Sequence, residues 1–64
     1  MGEKLPQKSD NREVFQDLKG DYYTIDTQHG RFEKFGKSEY HIDEFNIDLE
    51  PQNKQKKGRK LRWN

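Results

Sequence analysis

The chain has 64 residues, 27% hydrophobic and 39% charged, which allows one small domain and excludes a multi-domain enzyme. Val, Leu, Ile and Phe number only 12, below the roughly one fifth of residues that marks chains able to build a full core. Yet 13 basic side chains against 12 acidic ones remove the self-repulsion that keeps many polar chains disordered. The absence of cysteine excludes disulfides, thiolate zinc sites and a cysteine nucleophile. No glycine-rich phosphate loop is present, and no apolar run approaches the roughly 20 residues of a membrane span.

Met1 to Asn11 are polar and contain Pro6, which reads as a flexible lead-in over residues 1–11. Ser9, Asp10 or Asn11 offers a cap for a short helix running to about Leu18, with Val14, Phe15 and Leu18 on one face and Lys19-Gly20 as its stop. From Asp21 the signal turns to strands. Tyr22, Tyr23, Thr24, Ile25 and Thr27 favour extended backbone, Gly30 offers a turn, and Arg31 to Phe35 alternates again. Gly36-Lys37-Ser38 is a second turn signal. Tyr40, His41, Ile42, Phe45 and Ile47 form a third extended run that Pro51 closes. Lys60 to Trp63 supplies a possible fourth strand. The expected fold is α+β and mostly β: a short N-terminal helix followed by a small twisted antiparallel sheet of three or four strands. In a chain so poor in aliphatics, Tyr22, Tyr23, Phe32, Phe35, Tyr40 and Phe45 are expected to form most of the core.

Charge is divided unevenly along the chain. Residues 1–50 carry 7 basic and 12 acidic side chains, whereas residues 51–64 carry Lys54, Lys56, Lys57, Arg59, Lys60 and Arg62 and no acid. Such a run is either a tail that folds back on the acidic half or a phosphate-binding arm. Trp63 beside it can pack on the domain or stack on a base.

The stretch Asp26-Thr27-Gln28-His29-Gly30-Arg31-Phe32-Glu33 places two carboxylates and an imidazole within eight residues across the expected hairpin. On a straight strand Asp26 and His29 face opposite ways, but a bend at Gln28-His29-Gly30 re-aims His29. Glu33 on the returning strand then lies opposite Asp26 or His29. This set suits RNA cleavage through the ribose 2′-hydroxyl. Such cleavage needs a base for the 2′-OH proton, an acid for the leaving 5′-oxygen and a cation for the developing charge on the phosphate. A metal site built from Asp26, His29, Glu33 and His41 has less support, because H-x-x-x-E aligns ligands on a helix rather than on strands. His41 reads as a sheet-face residue, and no metal or cofactor is expected.

The run from Tyr22 to Phe35, with Asp26-Thr27-Gln28-His29-Gly30 at its centre and Glu33 beyond, resembles the active-site hairpin of the cytotoxic ribonuclease domain of E-group colicins, related pyocins and contact-dependent inhibition toxins. The likeness continues through Lys37-Ser38-Glu39-Tyr40-His41-Ile42 and Phe45 into the basic terminus. It implies one ribonuclease-like toxin domain over residues 12–64, and a metal-independent endoribonuclease that cuts 16S rRNA at the ribosomal decoding site and leaves a cyclic phosphate. It also implies a cognate immunity protein, action in the cytoplasm of a target bacterium, and no DNA target. By position, Glu33 is the general base, His29 the general acid, and Asp26 the support of His29. The family's C-terminal arginine corresponds to Arg59 as the nearest arginine or to Lys57 by ungapped counting. Lys54, Lys56, Lys57, Lys60 and Arg62 are the expected RNA contacts. Phe35 stands where the family carries tyrosine. The sequence permits either a free-standing toxin or the tip of a longer delivery protein. Two other readings use the same residues: a non-catalytic RNA- or ribosome-binding module, and a partner-binding protein whose acidic run 37–50 is the interface.

Overall fold

The computed structural model describes residues 2–46, 48 and 50–64. Five strands follow in order: β1 (Glu3–Ser9), β2 (Arg12–Gln16), β3 (Tyr22–Asp26), β4 (Arg31–Phe35) and β5 (His41–Asn46). They form one antiparallel sheet in the order β1-β2-β3-β4-β5, each strand paired with the next in sequence. Among the described residues there is no helix. The expected α+β class with three or four strands is therefore corrected to an all-β meander of five.

The helix expected from Ser9 to Leu18 fails for a local reason. Asp10 and Asn11 both take positive φ, 49° and 63°, and Ser9 pairs directly with Arg12. This is a two-residue hairpin turn of the kind whose twist matches paired strands and which Asn and Asp tolerate. The residues read as a helix cap are thus the turn between β1 and β2. In β2, Val14 and Phe15 point to opposite faces; Val14 is buried, while Leu18 is fully exposed. Leu18 sits in the next turn, where Asp17 Oδ1 accepts the N–H groups of Lys19 and Asp21 at 3.0 Å each. Tyr23 Oη–H donates to Asp17 Oδ2 at 3.0 Å. Burial and that bond push the Tyr23 phenol up to about 12.

The stretch read as a lead-in supplies the edge strand β1. Its register shifts between Lys4 and Lys8, around Pro6, which has no N–H to give. A proline, a bulge and lysines together blunt an exposed sheet edge.

The register sorts the side chains by face. Val14 lies opposite Thr24, Thr24 opposite Glu33, and Glu33 opposite Glu44. Asp26 lies opposite Arg31 and Phe35 opposite His41. These residues and Arg12 share one face. On the other face Phe15, Tyr23, Ile25, Phe32 and Phe45 line up across the strands and are half-buried. The expected aromatic core is corrected accordingly: of the six aromatics only Phe35 is fully buried, and Tyr40 is exposed. Among the described residues the buried set consists of Val14, Phe35 and Leu61 with the polar Ser9, Thr24, Glu33, His41 and Glu44.

The basic C-terminal segment covers this polar face. Lys60 to Trp63 does not form the expected fourth strand; it makes single antiparallel bridges, Lys60 to Tyr40 and Trp63 to Ser9. Near the start of β5, His41 N–H donates to Arg59 C=O at 2.8 Å and Leu61 N–H to Glu39 C=O at 2.9 Å. At the β1 end, Asp10 N–H donates to Arg62 C=O at 3.0 Å and Asn64 N–H to Lys8 C=O at 2.7 Å. The segment therefore ties the first and last parts of the sheet together. Trp63 packs edge-on to Tyr22, centroids 5.6 Å apart, and donates from Nε1 to Glu39 Oε1 at 2.9 Å. Packing on the domain, not a free base-stacking ring, is its role in the structure. Ile47, expected in the third extended run, lies outside the described residues.

Leu61 is the buried apolar residue of the covering segment. Leu61→Ala should lower the unfolding free energy by about 2–4 kcal/mol, read from urea denaturation. A loss under about 0.5 kcal/mol, the scale of surface changes, would mean that the segment does not pack as described.

Candidate active site

The site begins at the β3–β4 turn. Asp26 ends β3, and Thr27 to Gly30 make the connection, with Gly30 at φ 63°. Asp26 Oδ1 accepts the backbone N–H of His29 at 3.2 Å, and Asp26 Oδ2 lies 2.8 Å from His29 Nδ1. One carboxylate thus shapes the turn and orients the ring. With Nδ1 as donor to Asp26, Nε2 is left as the outward nitrogen of a side chain that is 60% exposed. The hydrogen bond from the His29 ring holds the Asp26 carboxyl below its ordinary value, against a smaller upward push from burial; Arg12 adds to the lowering.

Glu33 sits on the same face, two strand positions further into the sheet. Its direct cross-strand neighbour is Thr24, not Asp26 or His29 as expected. Arg12 makes the connection instead. Its Nη1 donates to Glu33 Oε1 at 2.7 Å, and its Nη2 lies 3.4 Å from Asp26 Oδ2. A second guanidinium reaches the same carboxylate oxygen: Arg59 Nη2 is 3.1 Å from Glu33 Oε1. Glu33 is 5% exposed, and a buried carboxylate persists as an ion only with such partners.

On its other side Glu33 Oε2 lies 3.4 Å from His41 Nε2. His41 is 1% exposed, packed edge-on against Phe35. Burial lowers its pKa; Lys56 and Arg59 add to this, and Glu33 and Glu44 oppose it.

The remaining expected contacts divide by what they touch. Lys54 donates its backbone N–H to Asp43 Oδ1 at 2.9 Å, and Lys56 Nζ lies 3.6 Å from Glu44 Oε1. Lys60 Nζ stands 5.5 Å from the Tyr40 ring centroid. Lys57 is exposed in the loop ahead of Gly58. Of the two alternatives for the cation, the structure brings Arg59 to Glu33. Arg12, Arg59, Lys60 and Arg62 line a cleft of about 550 Å³ together with Asp10 and Gly58, four cations to one carboxylate. Arg12 also walls a neighbouring cleft of about 390 Å³ that runs along Asp26, Thr27 and Gln28. Sequence reasoning missed Arg12 because it was counted inside a helix, and it missed the position of His41 because nothing local marks a buried ring. No group of three or more His, Cys, Asp or Glu side chains able to hold a metal occurs among the described residues.

The hairpin-held Asp26–His29 pair and the buried Glu33 thus lie beside a cation-lined cleft on a small meander. Residues 3–62 match the family model described as Cytotoxic, and the chain belongs to this family of cytotoxic, colicin-type toxin domains. No curated protein and no solved structure matches it. None of the described helices could cross a membrane, since there are none.

His41 and Asp26, the depressed groups of this site, give stability a pH dependence. Below the ordinary histidine value of about 6.5, the unfolded chain takes up a proton that buried His41 refuses, so stability falls as pH drops through that region. The contribution of Asp26 is complete above its unfolded value and is lost only as pH falls below about 3.8. Urea midpoints at pH 7.5 and 5.5 should therefore differ in the wild type, and His41→Gln should narrow the gap. Equal midpoints in the wild type would contradict a buried neutral ring.

Proposed function

We propose that this toxin domain is a metal-independent endoribonuclease that cuts 16S rRNA at the decoding site of the ribosome and so stops translation. The observation that carries the reading is the linkage through Arg12 of a turn-held Asp26–His29 pair to a buried Glu33 that also meets Arg59. Glu33 takes the proton from a ribose 2′-OH, and the 2′-oxygen attacks the adjacent phosphorus. The P–O5′ bond breaks as protonated His29 gives a proton from Nε2 to the leaving 5′-oxygen. The products are a 2′,3′-cyclic phosphate and a 5′-hydroxyl end. Asp26 keeps Nδ1 engaged so that Nε2 faces the substrate. Arg12 and Arg59 stabilise the charge that gathers on the phosphate oxygens; each guanidinium has five donors and can hold Glu33 and a phosphate together. Phe35 leaves this chemistry without a tyrosine hydroxyl.

Lys60 and Arg62 along the cleft, with Lys54, Lys56 and Lys57 on the outer loop, bind the RNA backbone. The 2′-OH requirement restricts the enzyme to RNA, so no DNA is cut. The domain acts in the cytoplasm of a target bacterium after delivery, and an immunity protein protects the producer.

Incubation with ribosomes should release one discrete fragment from the 3′ end of 16S rRNA. His29→Ala and Glu33→Ala should each lower the rate by about 10²–10⁴-fold, read by fragment mapping. Intact rRNA after exposure to folded wild-type protein would sink the proposal. Lys57→Ala and Lys60→Ala should raise KM and flatten the salt dependence, because each removes a phosphate contact, with kcat little changed.

The second reading, a non-catalytic RNA- or ribosome-binding module, draws on the same cation-lined cleft. It would be favoured if the His29 and Glu33 variants bound ribosomes and arrested translation as well as the wild type does.

A further inference from the structure

Three polar atoms around Glu33 are buried without a hydrogen-bond partner: Glu33 Oε2 itself, His41 Nε2 and Thr24 Oγ1. Thr24 is the residue directly across the strands from Glu33, so the three belong to one place. The two atoms of the His41–Glu33 pair face each other at 3.4 Å.

The other nitrogen of His41 is committed. The backbone N–H of Lys56 donates to His41 Nδ1 at 3.0 Å. A nitrogen that accepts carries no proton, so a neutral ring must carry its proton on Nε2, the atom aimed at Glu33. The same ring is held to the basic segment by its main chain as well. His41 N–H donates to Arg59 C=O at 2.8 Å, and Gln55 Nε2 reaches His41 C=O at 3.5 Å. Arg59 is the guanidinium that meets Glu33. His41 therefore stands between the carboxylate and the segment that brings the cation to it.

We infer that His41 is a positioning residue for cleavage: its Nε2–H orients Glu33, its Nδ1 seats the segment bearing Arg59, and one ring thereby sets the proposed base and the proposed phosphate-binding cation in register. This role rests on the nuclease reading above. A doubly protonated ring cannot accept from Lys56 N–H, so charging His41 releases the segment. The charged groups facing the ring are Glu33 from β4, Glu44 from β5, and Lys56 and Arg59 from the basic segment. Two cations against two carboxylates leave no net charge to favour the imidazolium, and burial disfavours it.

Two substitutions separate the two ends of the ring. His41→Asn retains an acceptor near Nδ1 and removes the donor near Nε2. His41→Gln retains a donor near Nε2 and removes the acceptor near Nδ1. With ribosomes as substrate, His41→Asn should lower kcat by about 10- to 100-fold, part of what a general base typically contributes, with KM little changed. His41→Gln should lose less kcat and raise KM more. Values of kcat and KM for both variants that match the wild type would overturn the role and leave His41 as packing. Should either variant fail to fold, the ¹⁵N ring spectrum of the wild type decides the matter. A neutral ring protonated on Nε2 and bare on Nδ1 at pH 7 supports the inference; a proton on Nδ1 overturns it. Wild-type protein that leaves rRNA intact overturns the nuclease reading and this role together. Wild-type cleavage with unaltered variants overturns this role alone.

Discussion

A carboxylate placed almost wholly out of water governs the architecture. Glu33 lies on a central strand, 5% exposed, and an ion in that setting needs compensating charge from more than one direction. Two arginines supply it, Arg12 from β2 and Arg59 from the C-terminal segment. These partners are 21 residues before and 26 after Glu33 in the chain, so satisfying one side chain requires the first hairpin and the last segment to close on the middle of the sheet. The requirement that makes the site is also a constraint on the fold.

The uneven charge along the chain acquires a structural meaning from this closure. Glu39, Asp43 and Glu44 receive Trp63, the Lys54 backbone and the Lys56 ammonium. The acidic half is a seat for the basic half, and the near-zero net charge is the sum of two complementary parts. Not every cation is consumed in docking. Arg62 and Lys60 remain along a cleft with Arg12 and Arg59, so the segment both completes the core and leaves positive charge along that cleft. A cytotoxic domain of this size gains economy from such overlap: with Val14, Phe35 and Leu61 as the buried apolar residues among those described, part of its cohesion comes from the polar groups around Glu33. Stability and the site are consequently hard to alter independently.

The strands from Tyr22 to Phe35 and the turn at Gly30 were readable because alternation and a glycine are local signals. Asp26 and His29 were readable as a pair for the same reason, being three residues apart across one turn. The N-terminal hairpin was not. Ser9-Asp10-Asn11 serves equally as a helix cap or as a hairpin turn, and Val14-Phe15 followed by Leu18 fits one helix face as well as two sheet faces. Pairing decided the matter, since a two-turn helix is marginal alone and β2 finds partners on both edges. That error hid Arg12. The aromatics misled for a related reason: apolar character says that a ring favours burial, but a sheet covered on one face by a single segment leaves the rings of the other face only half covered.

The order of residues by itself determined the local chemistry: a hairpin that holds an imidazole against a carboxylate, a glutamate on the returning strand, and a separate store of positive charge at the end. Those follow from short-range geometry and composition. Which arginines meet Glu33, that His41 lies beneath it, and that the basic segment is a lid on the sheet were decided only when distant strands paired. The reason is that a side chain's field and its exclusion from water depend on neighbours brought in from tens of residues away, and no local pattern encodes that distance.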